Sequence, residues 1–345
     1  MQVGLVTGRH SVELREMPDP VPTPGRAVVR IAYCGICGTD VHAFQSGAPY
    51  NPAICGHEWV GEVEANGADV RHVKEGDRVA IGVAAACGQC PTCLSGDPAH
   101  CETAFLGMIG VGPLAATHGG FASAIAIDAS RLYKVLPGLS DEDAAILEPL
   151  TITMHAVRRT PIRLGDLVVV IGGGPIGLLA MQCARAAGAG TLVLVEPQPA
   201  RRAMAKLLGA DITIDPRDTA PLDVLRDVLH RPGADVVFEC AGVPQTVHQS
   251  VQLCRRGGVV SLVGVPNGPS EVHVAEWLMK EIRLLTSLGY ERHEFDIAQG
   301  LIADGRVKVR PMHTSTVGLS GLAGAFARLA SAPEEVKILV DPRRA

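Results

Sequence analysis

Four cysteines, Cys87, Cys90, Cys93 and Cys101, fall within fifteen residues, CGQCPTCLSGDPAHC. Three thiolates in a C-x-x-C-x-x-C run, with a fourth beyond a Gly-Asp-Pro turn, can converge on one tetrahedral point at the short distances zinc requires. Four thiolates close the coordination shell. An ion held there folds a lobe, residues 85–103, and meets no substrate. A pair of disulfides or a set of buried thiols is the alternative. Disulfide staples belong to small secreted domains, and nothing in this chain suggests secretion.

A second set of metal-ligand residue types is dispersed. Cys37 lies in CGICGTDVH, His57 and Glu58 lie in CGHEWVGEV, and Glu148 lies in LEPL. Around an ion with an open position they would activate a hydroxyl by Lewis-acid chemistry. Taken singly, each has an ordinary reading: Cys37 as a small core residue, His57 as a hydrogen-bonded buried histidine, Glu148 as a helix-terminal acid.

A third motif has complete local context. The apolar run LVVVIG leads straight into GGGPIG, which places Gly172, Gly174, Pro175, Ile176 and Gly177 at a strand-to-helix turn. Glycine at the first site permits the tight turn, at the second lets backbone approach a pyrophosphate, and at the third lets helix and sheet pack closely. Glu196 ends the next strand roughly two dozen residues on, where an acid binds an adenosine ribose diol. Its charge would repel a 2′-phosphate, so NAD is expected over NADP. Arg201 and Arg202 stand close by, suited to stacking on adenine or to holding a phosphate.

These groups need a scaffold. To about residue 150 the chain shows short alternating runs, AVVRIAYC, WVGEVEAN and DRVAIGVA, which predict an antiparallel β-barrel or sandwich. Ser140, followed by Asp143, predicts a helix over Ser140 to Leu147. From there to about Ser287, apolar strands alternate with helices, including ones around Pro221 to Leu229 and Thr246 to Cys254. That rhythm predicts an α/β region with a parallel sheet buried on both faces. KILVD is a closing strand. At 345 residues the chain has room for two domains. A formal charge of −5 with 19% charged residues gives no basic patch for nucleic acid. Apolar runs break before membrane length. The first residues, MQVGLVTGRHSVEL, read as a strand without a secretory pattern. Cytoplasm is the expected compartment, with Cys34, Cys55, Cys183, Cys240 and Cys254 as reduced thiols.

In order and spacing, CGICGTDVH, GHEWVGEV, the Cys87 to Cys101 cluster, EPLTITMHAVRR and VIGGGPIGLLA resemble the zinc-dependent medium-chain dehydrogenases over essentially the whole chain. The branch is similar to the sorbitol, threonine and butanediol dehydrogenases. The resemblance implies a GroES-like β-rich catalytic domain over residues 1–155 and 290–345, with a Rossmann NAD-binding domain over 156–289. It implies two zinc ions per chain, the catalytic one on Cys37 and His57 with Glu58 as a ligand that approaches or leaves, and Glu148 where liver-type enzymes carry cysteine. One thiolate among carboxylates makes a harder shell than two thiolates. Asp40 is implied to accept from His57 and orient it, Thr39 to bond the substrate oxygen, and His42 to pass the proton from the nicotinamide ribose to solvent. Backbone near Val263 and Val265 would hold the nicotinamide amide. A homotetramer, or a dimer, is the implied assembly, joined near VVSLVGV.

Two departures bear on substrate. Gly38 follows the cysteine where liver-type enzymes carry Arg or His, and Gly289 falls about where polyol dehydrogenases carry an arginine. Both shift expectation toward a smaller secondary alcohol, a vicinal diol or a β-hydroxy amine, oxidised to the ketone. The rival readings are a zinc-free quinone or enoyl reductase of the same fold, a non-catalytic NAD-binding module, and a primary-alcohol enzyme.

Overall fold

Alternation in the N-terminal stretch becomes a hairpin, Gln2–Gly8 against Ser11–Glu16, turned by His10 at a φ of 56°. A computed structural model, describing residues 1–331 and 334–344, divides the chain into two units. Residues 332, 333 and 345 of the expected final segment lie outside the described residues.

The first unit comprises Met1–Glu148, Gly289–Ala303 and His313–Ala345. Its spine is the strand Arg26–Gly35, which pairs antiparallel with Glu58–Asn66 on one side and with Ala124–Asp128 and Lys337–Val340 on the other. Register shifts at Val28/Val29 and Ile31/Tyr33 bend it. The spine therefore ends at Cys34 and Gly35 between two partners that deliver Glu58 and Lys337. Beneath lies a core that includes Val29, Ile31, Phe44, Trp59, Phe121 and Phe326. Ser140 accepts from the Asp143 N–H at 3.1 Å, as its spacing predicts. The helix it opens stops at Ala144, however, and a new one, Leu147–Arg159, carries Glu148 in its first turn.

The second unit comprises Pro149–Leu288 and Asp304–Met312. Six parallel strands, counted from Leu167–Ile171, lie in the order 3-2-1-4-5-6, the Rossmann arrangement. Leu167–Ile171 is wholly buried, which explains its uninterrupted apolar sequence. Asp304–Met312 is drawn in by Gln182, whose side-chain oxygen accepts from the Lys308 N–H at 2.7 Å. The helix expected around Pro221 to Leu229 is a short turn, Pro221–Asp223, followed by a π-helical turn over Val224–Val228. Among the described residues, no helix is long and apolar enough to cross a membrane.

Candidate active site and cofactor loop

Cys37 caps the helix Gly38–Ser46, and its N–H donates to Asp40 Oδ2 at 2.9 Å. His57 immediately precedes the neighbouring strand and Glu58 opens it, so one end of the sheet gathers ligands distant in sequence. One ligand atom each from Cys37, His57 and Glu58 lies within 4.8 Å of the others. Glu148 is outside that set but acts electrostatically on His57. Burial pushes the Glu148 carboxyl up to about 7, opposed by His57, reinforced by Glu58 and opposed again by Lys337 and Arg131. Burial alone would lower His57; the Cys37 thiol, then Asp40 and Glu148, hold it well above its usual value. A thiol, an imidazole and a carboxylate converge here beside a second carboxylate, a donor set that suits zinc.

The expected hydrogen bond from His57 to Asp40 is not formed, since Nδ1 stands 3.9 Å from Asp40 Oδ1. The ring pairs instead with the Ile54 carbonyl, at 2.9 Å from Nδ1. Asp40 is fully buried and already accepts from the Cys37 N–H, the Gly56 N–H at 3.2 Å and the Tyr50 hydroxyl. A single turn over Pro52–Ile54 brings that carbonyl to the ring three residues later. The resulting bond engages Nδ1 and leaves Nε2 as the ring's other ligand atom, the role a histidine ligand's outer partner plays.

Lys337 is the residue that sequence reading missed. Its Nζ lies 2.5 Å from Glu58 Oε2, with both side chains 1% exposed, and donates to the Ile36 carbonyl at 3.1 Å. The signal was a lone lysine inside KILV, a strand buried at every position. A lysine facing inward there must meet an acid.

Thr39 and His42 are exposed three residues apart on the Gly38–Ser46 helix, hence on one face. Thr39 Oγ1 lies 3.7 Å from Cys37 Sγ. Phe44 and Trp59 are core residues, 4% and 2% exposed.

In the cysteine lobe, one sulfur each from Cys87, Cys90, Cys93 and Cys101 lies within 4.8 Å of the rest. Cys90 Sγ and Cys101 Sγ are 4.0 Å apart, close to the edge of about 3.8 Å in a tetrahedron with zinc–sulfur bonds of about 2.3 Å. All ten cysteines are free, which removes the disulfide alternative. Backbone N–H groups of Cys87, Cys90 and Cys93 each donate to the sulfur of another member at 3.3 to 3.4 Å. Bonds from Thr103 and then from backbone lower Cys87 to about 6, whereas burial and then Cys90 push Cys93 up to about 12. Without a cation the four sulfurs cannot all ionise.

At the cofactor loop, Gly172 takes a φ of +99°, and a Cβ there would meet the Ala241 backbone at 2.8 Å. A Cβ on Gly174 would meet open space, and one on Gly177 would fall 1.8 Å from the Gly172 carbonyl oxygen. Gly174 precedes the helix Pro175–Ala186, which Pro175 and Ile176 open. Glu196 accepts from the Gly173 N–H at 2.6 Å and the Gln198 N–H at 2.8 Å. Arg202 is occupied by Asp215 and the Glu196 and Pro197 carbonyls. Arg201 Nε is buried without a partner. The Val263 N–H is committed to the Glu239 carbonyl at 2.9 Å, while Val265 is 81% exposed. Glu239, also unforeseen, is fully buried with Oε2 unpaired and Oε1 holding Ala241, Gly242 and Thr246.

Residues 23–137 match the alcohol dehydrogenase GroES-like domain, and residues 175–304 the zinc-binding dehydrogenase domain. The chain is 32% identical over 337 residues to the 2-dehydro-3-deoxy-L-galactonate 5-dehydrogenase of Pseudoalteromonas atlantica, covering 97% of this chain and 96% of that protein. It is 31% identical over 347 residues to the (R,R)-butanediol dehydrogenase of Bacillus subtilis, covering 96% of each. A zinc-binding dehydrogenase of Sinorhizobium meliloti, solved with NADP bound, superposes with a TM-score of 0.86 at 31% identity over 99% of both chains. With full-length similarity of this kind joined to a GroES-like unit and a Rossmann sheet, the chain belongs to the zinc-dependent medium-chain dehydrogenases, oxidoreductases that act on CH–OH groups.

Proposed function

We propose that this chain oxidises a secondary alcohol, within a diol, polyol or amino alcohol, to the ketone with NAD as hydride acceptor. The observation that supports this most is the convergence of Cys37, His57 and Glu58 within 4.8 Å, beside a Glu148 that burial holds near neutrality. Those four residues would hold the catalytic zinc, and Cys87, Cys90, Cys93 and Cys101 a structural one, two ions per chain. Zinc, when bound, supplies the Lewis-acid charge that makes an alcohol proton acidic near neutral pH. Thr39, beside Cys37, would accept the alcohol proton while giving up its own hydroxyl proton, and the exposed His42 on the same helix face would release a proton to solvent. Lys337 holds Glu58 in its buried position and offsets its charge. Asp40 positions the Cys37 and Gly56 backbone from which two ligands project. The proposed division of labour is catalysis in residues 1–155 and 290–345 and dinucleotide binding in 156–289, although 149–155 and 304–312 of the former belong to the second unit.

Glu196, fixed by two backbone N–H groups at the end of the second strand, supports NAD through its ribose diol. The second reading is NADP, favoured by the unpaired Arg201 Nε beside that carboxylate. Backbone around Val263 and Val265 remains the proposed nicotinamide contact. The Bacillus relative's butanediol and the Pseudoalteromonas relative's sugar acid support a substrate with neighbouring oxygen functions. A homotetramer or dimer in the cytoplasm is the assembly we assign. The assembly is supported by the outer strand Arg283–Thr286 and by Leu278 and Met279 at 73% and 68% exposure. Assays of secondary alcohols, diols, polyols and amino alcohols with NAD and NADP test the reading. One alcohol class turning over with a higher kcat/KM for NAD supports it, and preference for NADP overturns the cofactor assignment.

A further inference from the structure

The second unit carries another cluster of metal-ligand side chains, remote in sequence from both cysteine-containing sets. His248 lies on the helix Pro244–Leu253, Glu276 on the helix Val274–Lys280, and His273 immediately precedes the latter. One ligand atom from each lies within 4.8 Å of the other two. His248 Nε2 stands 3.3 Å from Glu276 Oε2, and the two imidazole centroids are 4.4 Å apart at 54°. In a tetrahedral site with bonds of about 2.05 Å, ligand atoms sit about 3.3 Å from one another. The His248–Glu276 edge already has that length. His273, 62% exposed, completes the triangle by side-chain rotation.

His248 is the informative member. Its side chain is 14% exposed, and both ring nitrogens are buried without a hydrogen-bond partner. Buried polar nitrogens are normally paired. Here two imidazoles and a carboxylate, all electron-pair donors, face one another with nothing to join them. A proton on His248 would serve Glu276 and leave His273 unused, whereas a divalent ion uses all three.

The scaffold is already assembled. Lys280 Nζ donates to the carbonyls of Val251, Gln252 and Cys254 at 2.8, 2.9 and 3.1 Å, closing the end of the helix that bears His248. The same nitrogen lies 3.5 Å from Glu276 Oε1, so it ties the two helices together and leaves Oε2 directed at His248. His273 and Glu276 are three residues apart, and the Glu276 N–H donates to the His273 carbonyl at 3.0 Å. The competing partner for His273 is Glu271, 3.6 Å away and 91% exposed, an ion pair of small worth.

We propose that His248, His273 and Glu276 form a further metal site, taking zinc or another divalent transition ion that favours imidazole with one carboxylate, water completing the shell. Such an ion pins the segment ahead of the Val274–Lys280 helix to the Pro244–Leu253 helix.

The test uses the full-length protein and two variants, H273A and E276Q, both of which leave the three carbonyl bonds of Lys280 in place. Metal-stripped protein is titrated with Zn²⁺ under mass-spectrometric metal analysis, and in parallel with Co²⁺ under absorption spectroscopy. The expected result is one more ion per chain in the wild type than in either variant. With cobalt, that extra equivalent adds ligand-field absorption without thiolate-to-cobalt charge transfer. Equal metal content in wild type and variants would overturn the site, as would an extra equivalent that carries the thiolate band.

Discussion

Replacing Lys337 by Met probes the interaction that organises the candidate active site from behind. The ammonium and the Glu58 carboxylate are 1% exposed and 2.5 Å apart, so K337M leaves a carboxylate buried beside Cys37 and His57 without its counter-charge. Removing one partner of a buried pair costs about 3 to 5 kcal/mol. At about 2 to 4 °C per kcal/mol for a unit of this size, the melting temperature of metal-stripped protein should fall by about 6 to 20 °C. Zinc should recover part of the loss, because the released carboxylate then faces a cation. K337M should therefore gain more from zinc than the wild type does. Scanning calorimetry of wild type, K337M, E58Q and the double variant gives the coupling directly, expected at about 2 kcal/mol or more. A coupling below about 0.5 kcal/mol, or a zinc-induced shift no larger in K337M than in wild type, would show that Lys337 does not hold the Glu58 carboxylate.

In the second unit, Asp235 is buried yet holds its charge, because Arg255, the Leu167 N–H and Arg231 outweigh the burial that would raise its pKa. Its folded pKa lies below the unfolded value, so the stability it contributes is present above about pH 5 and lost as pH falls through the folded value. D235N should cost about 3 kcal/mol at pH 7 by denaturant unfolding, and the gap from wild type should narrow below about pH 4. G177A places a Cβ 1.8 Å from the Gly172 carbonyl oxygen, and that backbone cannot yield without moving the loop. Calorimetric titration should show dinucleotide affinity reduced by about tenfold or more, with metal content unchanged. C90S removes one of four sulfurs, so the protein should lose one zinc per chain and become sensitive to proteolysis within residues 85–103, while dinucleotide binding persists.

Motifs with local geometry were legible from the sequence. The cysteine run and the glycine turn each determine their own shape over a few residues, and buried parallel strands announce themselves by unbroken apolar sequence. What escaped depends on long-range or backbone contacts. Lys337 meets Glu58 across 279 positions, and the pairing of Cys34 and Gly35 with both partner strands brings them together. The acceptor of His57 is a main-chain carbonyl, which leaves no trace in side-chain identity, whereas the family resemblance implied Asp40. Asp40 was unavailable because a capping position and the Gly56 N–H had already claimed it. His248 sits in an amphipathic helix and His273 in a loop, and a spacing of twenty-five residues between them carries no recognisable metal pattern. The break at Ala145 and the π turn at Val224–Val228 are tertiary adjustments that periodicity does not register.

The holding of an ion required for alcohol oxidation by Cys37, His57, Glu58 and Glu148 is open to direct test. Its most direct measurement pairs metal content with turnover in C37S and in chelated wild type, using the best alcohol from the substrate panel. C37S should lose one zinc per chain, keep the cysteine-lobe zinc and its dinucleotide affinity, and drop at least a thousandfold in kcat, a loss of about 4 kcal/mol of transition-state stabilisation. Turnover that survives chelation, or C37S retaining both its metal and its rate, would contradict it.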